Sequence, residues 1–338
     1  MREILEDLLA GTDLTAAAAD DLLVTLTSGE VDPAMAGAVL VALRAKGETS
    51  EEVRGFASAM RRLSNDPGID ATSAVDVVGT GGDRSGSLNL STGAALLTAA
   101  AGVPVVKHGN RSMTSQSGSA DILEAIGLPI PLDADQARRC FDSLGFTYLF
   151  APHYHPAMAA VGPIRRALGV RTVFNMLGPL TNPAGPRHLV VGAFDARAAE
   201  LMAGALSGLE IDRAFVLHGA AGWDEPSPIG EFLLYDVGPG SVVRSSRDPA
   251  DLGMARCDPE DLAGGDPAHN ASQMTAVFAG EPGPHRDAIV LGAALALEVT
   301  GRALDPVSAV DLAAAALDDG RAMAMLRGLQ GFGASERA

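Results

Sequence analysis

The residues best suited to chemistry lie where short apolar runs end. In Asp76-Val-Val-Gly-Thr-Gly-Gly-Asp83, three glycines (Gly79, Gly81 and Gly82) allow a sharp turn that offers backbone N–H groups to an anion. The turn is not a dinucleotide fingerprint, because Arg84 stands where G-x-G-x-x-G needs its last glycine. The chain also has no G-x-x-x-x-G-K-[ST] phosphate loop. Taken alone, the segment also reads as a glycine turn without a ligand. Ser87 and Asn89-Leu90-Ser91-Thr92 follow and open a helix whose unpaired N–H groups and positive dipole end favour phosphate. Ser91 or Thr92 can be the N-cap, a role compatible with touching a ligand, and a hydroxyl there can hold a metal ion that bridges phosphates.

A third segment follows the next apolar run: Lys107, His108, Gly109, Asn110, Arg111, Ser112, Met113, Thr114 and Ser115. It gathers two cations, four hydroxyl or amide side chains and a glycine. Open α/β sheets collect ligands at the carboxyl ends of their strands, so three such segments in succession point to one polyanionic ligand. Solvated surface charge is the competing reading for Lys107 and Arg111. Gly222-Trp-Asp-Glu-Pro226 adds acid. Beside phosphates, Asp224 and Glu225 make sense as hard oxygen ligands of Mg²⁺, whereas elsewhere such a pair is an ordinary surface loop. His153 and His155 form an H-x-H pair between Pro152 and Pro156 with no third ligand nearby, which favours a loop over a zinc site. Neither a Ser-His-Asp order nor a G-x-S-x-G elbow points to acyl transfer.

The elements that must position these residues alternate in type. Residues 1 to about 65 read as consecutive helices, with Asp32-Pro33 starting one, Gly47 closing it, and a Thr49/Glu52 capping box starting the next. From Ala74 the pattern is βαβ: an apolar run to Gly79, a helix from about Ser91 to Ala101, then a run ending before Lys107. A helix from about Ser119 to Ile126 carries a second capping pattern in Asp121 and Glu124. Residues 132 to about 184 read as helical. Leu189-Val-Val-Gly-Ala-Phe and Arg213-Ala-Phe-Val-Leu-His read as strands, Gly238 to Pro267 as loop, and the stretch after Asp287 as two Ala-rich helices.

With 338 residues and 47% hydrophobic content, the chain can bury a large core. A formal net charge of −17 and 4% aromatics disfavour a nucleic-acid surface, which needs clustered cations and stacking rings. Cys140 and Cys257 form no CxxC pair, so a reducing compartment is expected. The acidic N-terminus lacks a signal-peptide pattern and no long uncharged apolar stretch suggests a membrane span, so the expectation is a cytoplasmic protein.

Along nearly its whole length the sequence resembles the anthranilate phosphoribosyltransferases. The matching stretches are Gly79-Thr-Gly-Gly-Asp83, Asn89-x-Ser-Thr92, Lys107-His-Gly-Asn-Arg111, Ser117-Gly-Ser-Ala-Asp121, His155-Pro-Ala-Met158, the run from Arg171 to Pro183, and Asp224-Glu225. The resemblance implies an α/β fold with a small all-helical domain, residues 1–70 joined by helices from about 132–184. The larger α/β domain would comprise residues 71–131 and 185–338 around a mostly parallel sheet. It implies transfer of a phosphoribosyl group from phosphoribosyl pyrophosphate to the amine of anthranilate, in a homodimer joined through the helical domain. Gly79, Gly82, Asp83, Ser87, Asn89, Leu90, Ser91, Thr92, Ser119 and the loop from Lys107 to Ser115 would bind phosphoribosyl pyrophosphate. Gly79, Asn110 and Arg165 would line the anthranilate path, and Ser91, Asp224 and Glu225 would hold two magnesium ions. Lys107, Asp224 and Glu225 would act electrostatically, with no obligatory general base. Gln116, Arg84, Pro226 and Pro228 depart from the usual pattern without removing a residue the reaction needs. Three readings stay beside this one: another aromatic acceptor, a pyrimidine nucleoside phosphorylase, whose usual loop is Lys-His-Ser-Thr-Gly-Gly, and a non-enzymatic nucleic-acid-binding relative.

Overall fold

The chain opens with four helices, α1 (Arg2–Leu9), α2 (Ala16–Thr27), α3 (Pro33–Lys46) and α4 (Ser50–Arg62). Their ends form as the residues require. Asp32 accepts from the N–H groups of Ala34 and Met35, Gly47 ends α3 at φ +89°, and Thr49 and Glu52 make the reciprocal capping box. The computed structural model describes residues 1–112 and 116–337.

The next elements are β1 (Val75–Gly79), α5 (Leu90–Ala100), β2 (Val105–Gly109), α6 (Ser119–Ile126), α7 (Ala134–Leu144) and β3 (Phe146–Phe150). Three helices, α8 (Ala151–Tyr154), α9 (Met158–Leu168) and α10 (Phe174–Leu177), lead to β4 (His188–Gly192), α11 (Ala196–Ser207), β5 (Arg213–His218), β6 (Phe232–Gly238) and β7 (Ser241–Arg247). Helices α12 (Pro267–Phe278), α13 (Pro284–Val299), α14 (Pro306–Asp318) and α15 (Arg321–Glu336) complete the chain. The strand order is β3-β2-β1-β4-β5-β6-β7, parallel through β5 and antiparallel for the last two.

Alternate side chains of each central strand enter different cores. Val190, Phe215 and Leu217 pack with α5, α13 and α15, whereas Leu189, Val191 and Val216 pack with α11 and the N-terminal helices. Helix α4 lies against both α2 and α11, so the helical layer shares its core with one face of the sheet. Helix α9 packs against α2 and α3.

Five expectations need correction. The segment from 132 is not wholly helical: Phe146–Phe150 is an edge strand paired in register with β2, too short for its period to emerge beside α7. The stretch after Gly238 contains β7, whose exposed Ser-Val-Val-Arg-Ser-Ser-Arg lacks a buried face. After Asp287 the chain forms the rest of α13 and then α14 and α15, three helices rather than two. Asn89, not Ser91 or Thr92, stands at the N-cap of α5, and at α6 the N-cap is Gly118, whose N–H donates to Asp121 Oδ2 at 2.8 Å without a reciprocal side-chain bond, while Glu124 pairs with Arg111.

Glu52 is fully buried and accepts from Leu14 N at 2.9 Å, Thr49 N at 2.8 Å and Lys46 Nζ at 3.1 Å. Lys46 also meets Asp13, which is 64% exposed. Glu52→Ala strands two buried backbone donors and removes one partner of Lys46, and should cost about 3 kcal/mol in urea unfolding, whereas Asp13→Ala should change stability by no more than about 0.5 kcal/mol.

Candidate active site

The carboxyl ends of β1, β4 and β5 form the floor of the site. Gly79 ends β1, Gly192 ends β4 and Gly219 follows β5. A Cβ at Gly79 would collide with the Asp224 carboxylate, one at Gly192 with the Asp224 carbonyl, and one at Gly219 with the Glu225 carbonyl. The acidic pair is therefore seated directly on the strand ends. From there Asp224 Oδ2 accepts from Gly81 N at 2.5 Å and Thr80 Oγ1 at 3.3 Å, and Glu225 Oε1 accepts from Ser91 N at 3.1 Å. Asp83 Oδ2 accepts from Asp224 N at 3.3 Å.

Three carboxylates thus crowd one another, and the electrostatics record it. Burial pushes Asp224 up to about 7, with the charge of Asp83 adding to it; burial and then Asp224 push Glu225 up to about 8. Lys107 is not a solvated surface charge. It is buried, its Nζ donates to the Val77 carbonyl, and burial lowers its pKa against the pull of Asp76, Glu225 and Asp224. Asp76, fully buried and pushed up to about 6 by burial, accepts from Asn182 Nδ2 at 2.9 Å and His108 N at 3.3 Å.

Other expected residues serve as braces. Asn89 Nδ2 donates to the Ser117 carbonyl at 3.0 Å, while its Oδ1 accepts from Ser117 Oγ at 3.1 Å and from Asn270 Nδ2 at 2.9 Å. Leu90 is core, and Thr92 Oγ1 is buried without a hydrogen-bond partner among the described residues. Ser87 forms a bridge with Ala263. Arg111 turns onto α6, pairing with Asp121 at 2.9 Å and with Glu124, and Ser112 N donates to Asp121 at 3.1 Å. Ser119 Oγ meets the Asn110 carbonyl at 3.2 Å and Tyr148 Oη at 2.9 Å, in the space left beside Gly109. Met113, Thr114 and Ser115 lie outside the described residues.

Gly82 and Asp83 remain in the turn next to Asp224, but Arg165 stands in the helical layer, its guanidinium 5.3 Å from the Phe174 ring centre. Among the described residues Arg165 has no carboxylate partner. His108 is buried with Nδ1 3.2 Å from the Gly178 carbonyl, and its ring lies 5.0 Å from that of His155. Burial lowers these two imidazoles to about 3 and about 4. Among the described residues no cluster of three His, Cys, Asp or Glu side chains is set to hold a metal, the H-x-H pair included.

Motif spacing does not single out Asp76, Asn182 or Asn270. A charged residue inside an otherwise apolar strand run was the available signal for Asp76. The two asparagines act through contacts 106 and 181 residues away in sequence, which no local pattern carries.

The fold that carries this acidic site, a mostly parallel sheet flanked by a helical layer, is that of a glycosyl transferase. Residues 71–323 match the glycosyl transferase family a/b domain, and residues 2–64 match the helical bundle domain of the same family. The chain is 48% identical over 333 residues to an anthranilate phosphoribosyltransferase of Desulforudis audaxviator, spanning 98% of this chain and 96% of that protein. It is 45% identical to one from Solibacter usitatus over 95% of both. The solved anthranilate phosphoribosyltransferase of Thermus thermophilus superposes with a TM-score of 0.92 at 39% identity, covering 99% of each chain. The Saccharomyces cerevisiae enzyme in complex with PRPP and Mg shares the fold, with a TM-score of 0.87 at 24% identity over 98% of this chain and 97% of that one. The chain belongs to the anthranilate phosphoribosyltransferase family.

A carboxylate whose folded pKa lies above its unfolded value binds its proton more tightly when folded. Its contribution to stability is greatest below the unfolded pKa and declines as pH rises through the folded one. For Asp224 and Glu225 that window runs from about 4 to about 8. Without added metal, Asp224→Asn/Glu225→Gln should therefore melt roughly 2–5 °C above the parent at pH 8.5, with the gap closing by pH 5. Calorimetric scans at both pH values measure this.

Proposed function

We propose that the chain transfers the 5-phosphoribosyl group of phosphoribosyl pyrophosphate to the amine of anthranilate, releasing pyrophosphate, as a step of tryptophan biosynthesis in the cytoplasm. The observation that carries the reading is the acidic pair seated on the glycine floor, facing the anion-binding turn and the start of α5. Ser91, Asp224 and Glu225 suit magnesium. They offer hard oxygen donors, and the carboxylates are raised by burial first, then by the charge of Asp83 on Asp224 and of Asp224 on Glu225, a cost that a divalent cation would relieve. Two ions fit the charge of a diphosphate. When bound, magnesium supplies positive charge that offsets the negative charge growing on the leaving pyrophosphate.

The chain's own residues supply binding and position. N–H groups of the turn from Gly79 to Asp83 and of the start of α5 hold phosphate oxygens, with Ser87, Thr92 and Ser119 adding hydroxyls. The Lys107 ammonium, fixed from below by the Val77 carbonyl, balances the carboxylates and the donor at the floor. Arg165 offers its guanidinium fork to the anthranilate carboxylate, and Asn110 borders the path between the two substrates. The arylamine is neutral at pH 7, so the main demand is orientation rather than deprotonation, and no side chain is assigned as a general base.

We also propose a homodimer. Pro33, Gly37, Ala38 and Val41 of α3, with Ile164 and Leu168 of α9, line an apolar groove of about 460 Å³ on the outer face of the helical layer. A second copy is the partner that the family resemblance supplies. Sedimentation equilibrium should give twice the chain mass, and Val41→Glu should shift the protein towards monomer; a parent that sediments at one chain mass excludes the dimer.

Loss of anthranilate fluorescence on adding phosphoribosyl pyrophosphate, with and without magnesium, tests the reaction. Consumption should require magnesium and fall at least about 100-fold in Asp224→Asn/Glu225→Gln. Arg165→Ala should raise the KM for anthranilate about tenfold or more while moving that for phosphoribosyl pyrophosphate less than about threefold. Equal loss for both substrates would contradict the placement of Arg165.

A further inference from the structure

Arg171 precedes α10 and belongs to the run that links the helical layer to β4, yet its guanidinium reaches the donor turn. Its Nη2 donates to the Gly82 carbonyl at 2.6 Å, and its Cζ lies 4.0 Å from the ring centre of Phe194, just past β4. Gly82 holds φ +72°, so its carbonyl direction is fixed by a conformation that a side chain would strain. The Arg171 carbonyl in turn accepts from Arg44 Nη1 of α3 at 2.8 Å. No carboxylate competes for the guanidinium among the described residues. On the far side the same turn is held by Asp224, through Gly81 N and Thr80 Oγ1. The turn from Gly79 to Asp83 is therefore pinned from two directions, by Asp224 and by one cation anchored to the helices.

We propose that Arg171 is a positioning residue: it latches the phosphate-facing turn to the helical side that carries Arg165, so that occupancy of the donor site and occupancy of the acceptor site strengthen each other. A planar guanidinium stacked on an aromatic ring loses little freedom when it grips a carbonyl, so it suits a reusable link between two layers. Such a link appears as a coupling free energy between two ligands, which is reciprocal. This inference rests on the function proposed above.

The test is calorimetric titration of phosphoribosyl pyrophosphate with magnesium, in the presence and absence of benzoate, an aromatic carboxylate without the reacting amine. In the parent, saturating benzoate should tighten donor binding several-fold. In Arg171→Gln the factor should fall to about one, both KM values should rise about tenfold, and Arg171→Lys should recover part of the coupling. Thermal melting checks that each variant is folded. Phe194→Leu, which removes only the stacking platform, serves if Arg171→Gln is not folded, and it should also weaken the coupling. Absence of coupling in the parent, or a folded Arg171→Gln with unchanged coupling, overturns the latch. So does a loss confined to donor affinity with coupling intact, which would make Arg171 a direct phosphate ligand. A parent that does not consume anthranilate at all would instead count against the functional reading.

Discussion

The site depends on how closely one acidic loop approaches three strand ends. The Asp224 carboxylate lies where a side chain at Gly79 would be, and the backbone of Asp224 and Glu225 where side chains at Gly192 and Gly219 would be, so β1, β4 and β5 all stop at glycine or pass directly into it. That contact fixes the carboxylates relative to the donor turn and to the first N–H groups of α5. A Cβ at any of the three positions would lift the loop away from the floor. The parallel sheet supplies coincident strand ends, and the glycines let those ends be used.

Burying these two carboxylates is costly at neutral pH. Burial, and then the charge of a neighbouring carboxylate, raises both pKa values, and Lys107, whose charge opposes the shift at Glu225, is itself buried and held by a carbonyl. Functional sites commonly trade stability for binding in this way. Behind the floor, Asp76 and Asn182 join β1, β2 and the segment after α10 through one buried carboxylate, which ties the donor strands to the chain leaving the helical layer.

Much of this was legible in the sequence. The capping residues of α3 and α4, the βαβ core, the glycine turn, the cation-bearing loop and the acidic pair all rest on local signals: side-chain caps, period and turn chemistry. Misreadings arose where local signals are weak. Strand β3 is five residues long beside a helix, β7 has no buried face, and the cap of α5 is an asparagine whose side chain is engaged by Ser117 and Asn270. The pairing of Arg111 with Asp121 and Glu124 one helix on is likewise carried by no local pattern.

By itself the sequence determined which residue types could meet at strand ends and which family they belong to, because glycine turns, caps and motif order are properties of short segments. Only the tertiary structure decided that Lys107 lies beneath the floor, that Asp224 and Glu225 rest on three glycines from separate strands, and that Arg171 grips Gly82. Those outcomes depend on contacts between residues 30 to more than 100 positions apart, whose geometry is set by packing the sheet between its two layers rather than by any local pattern.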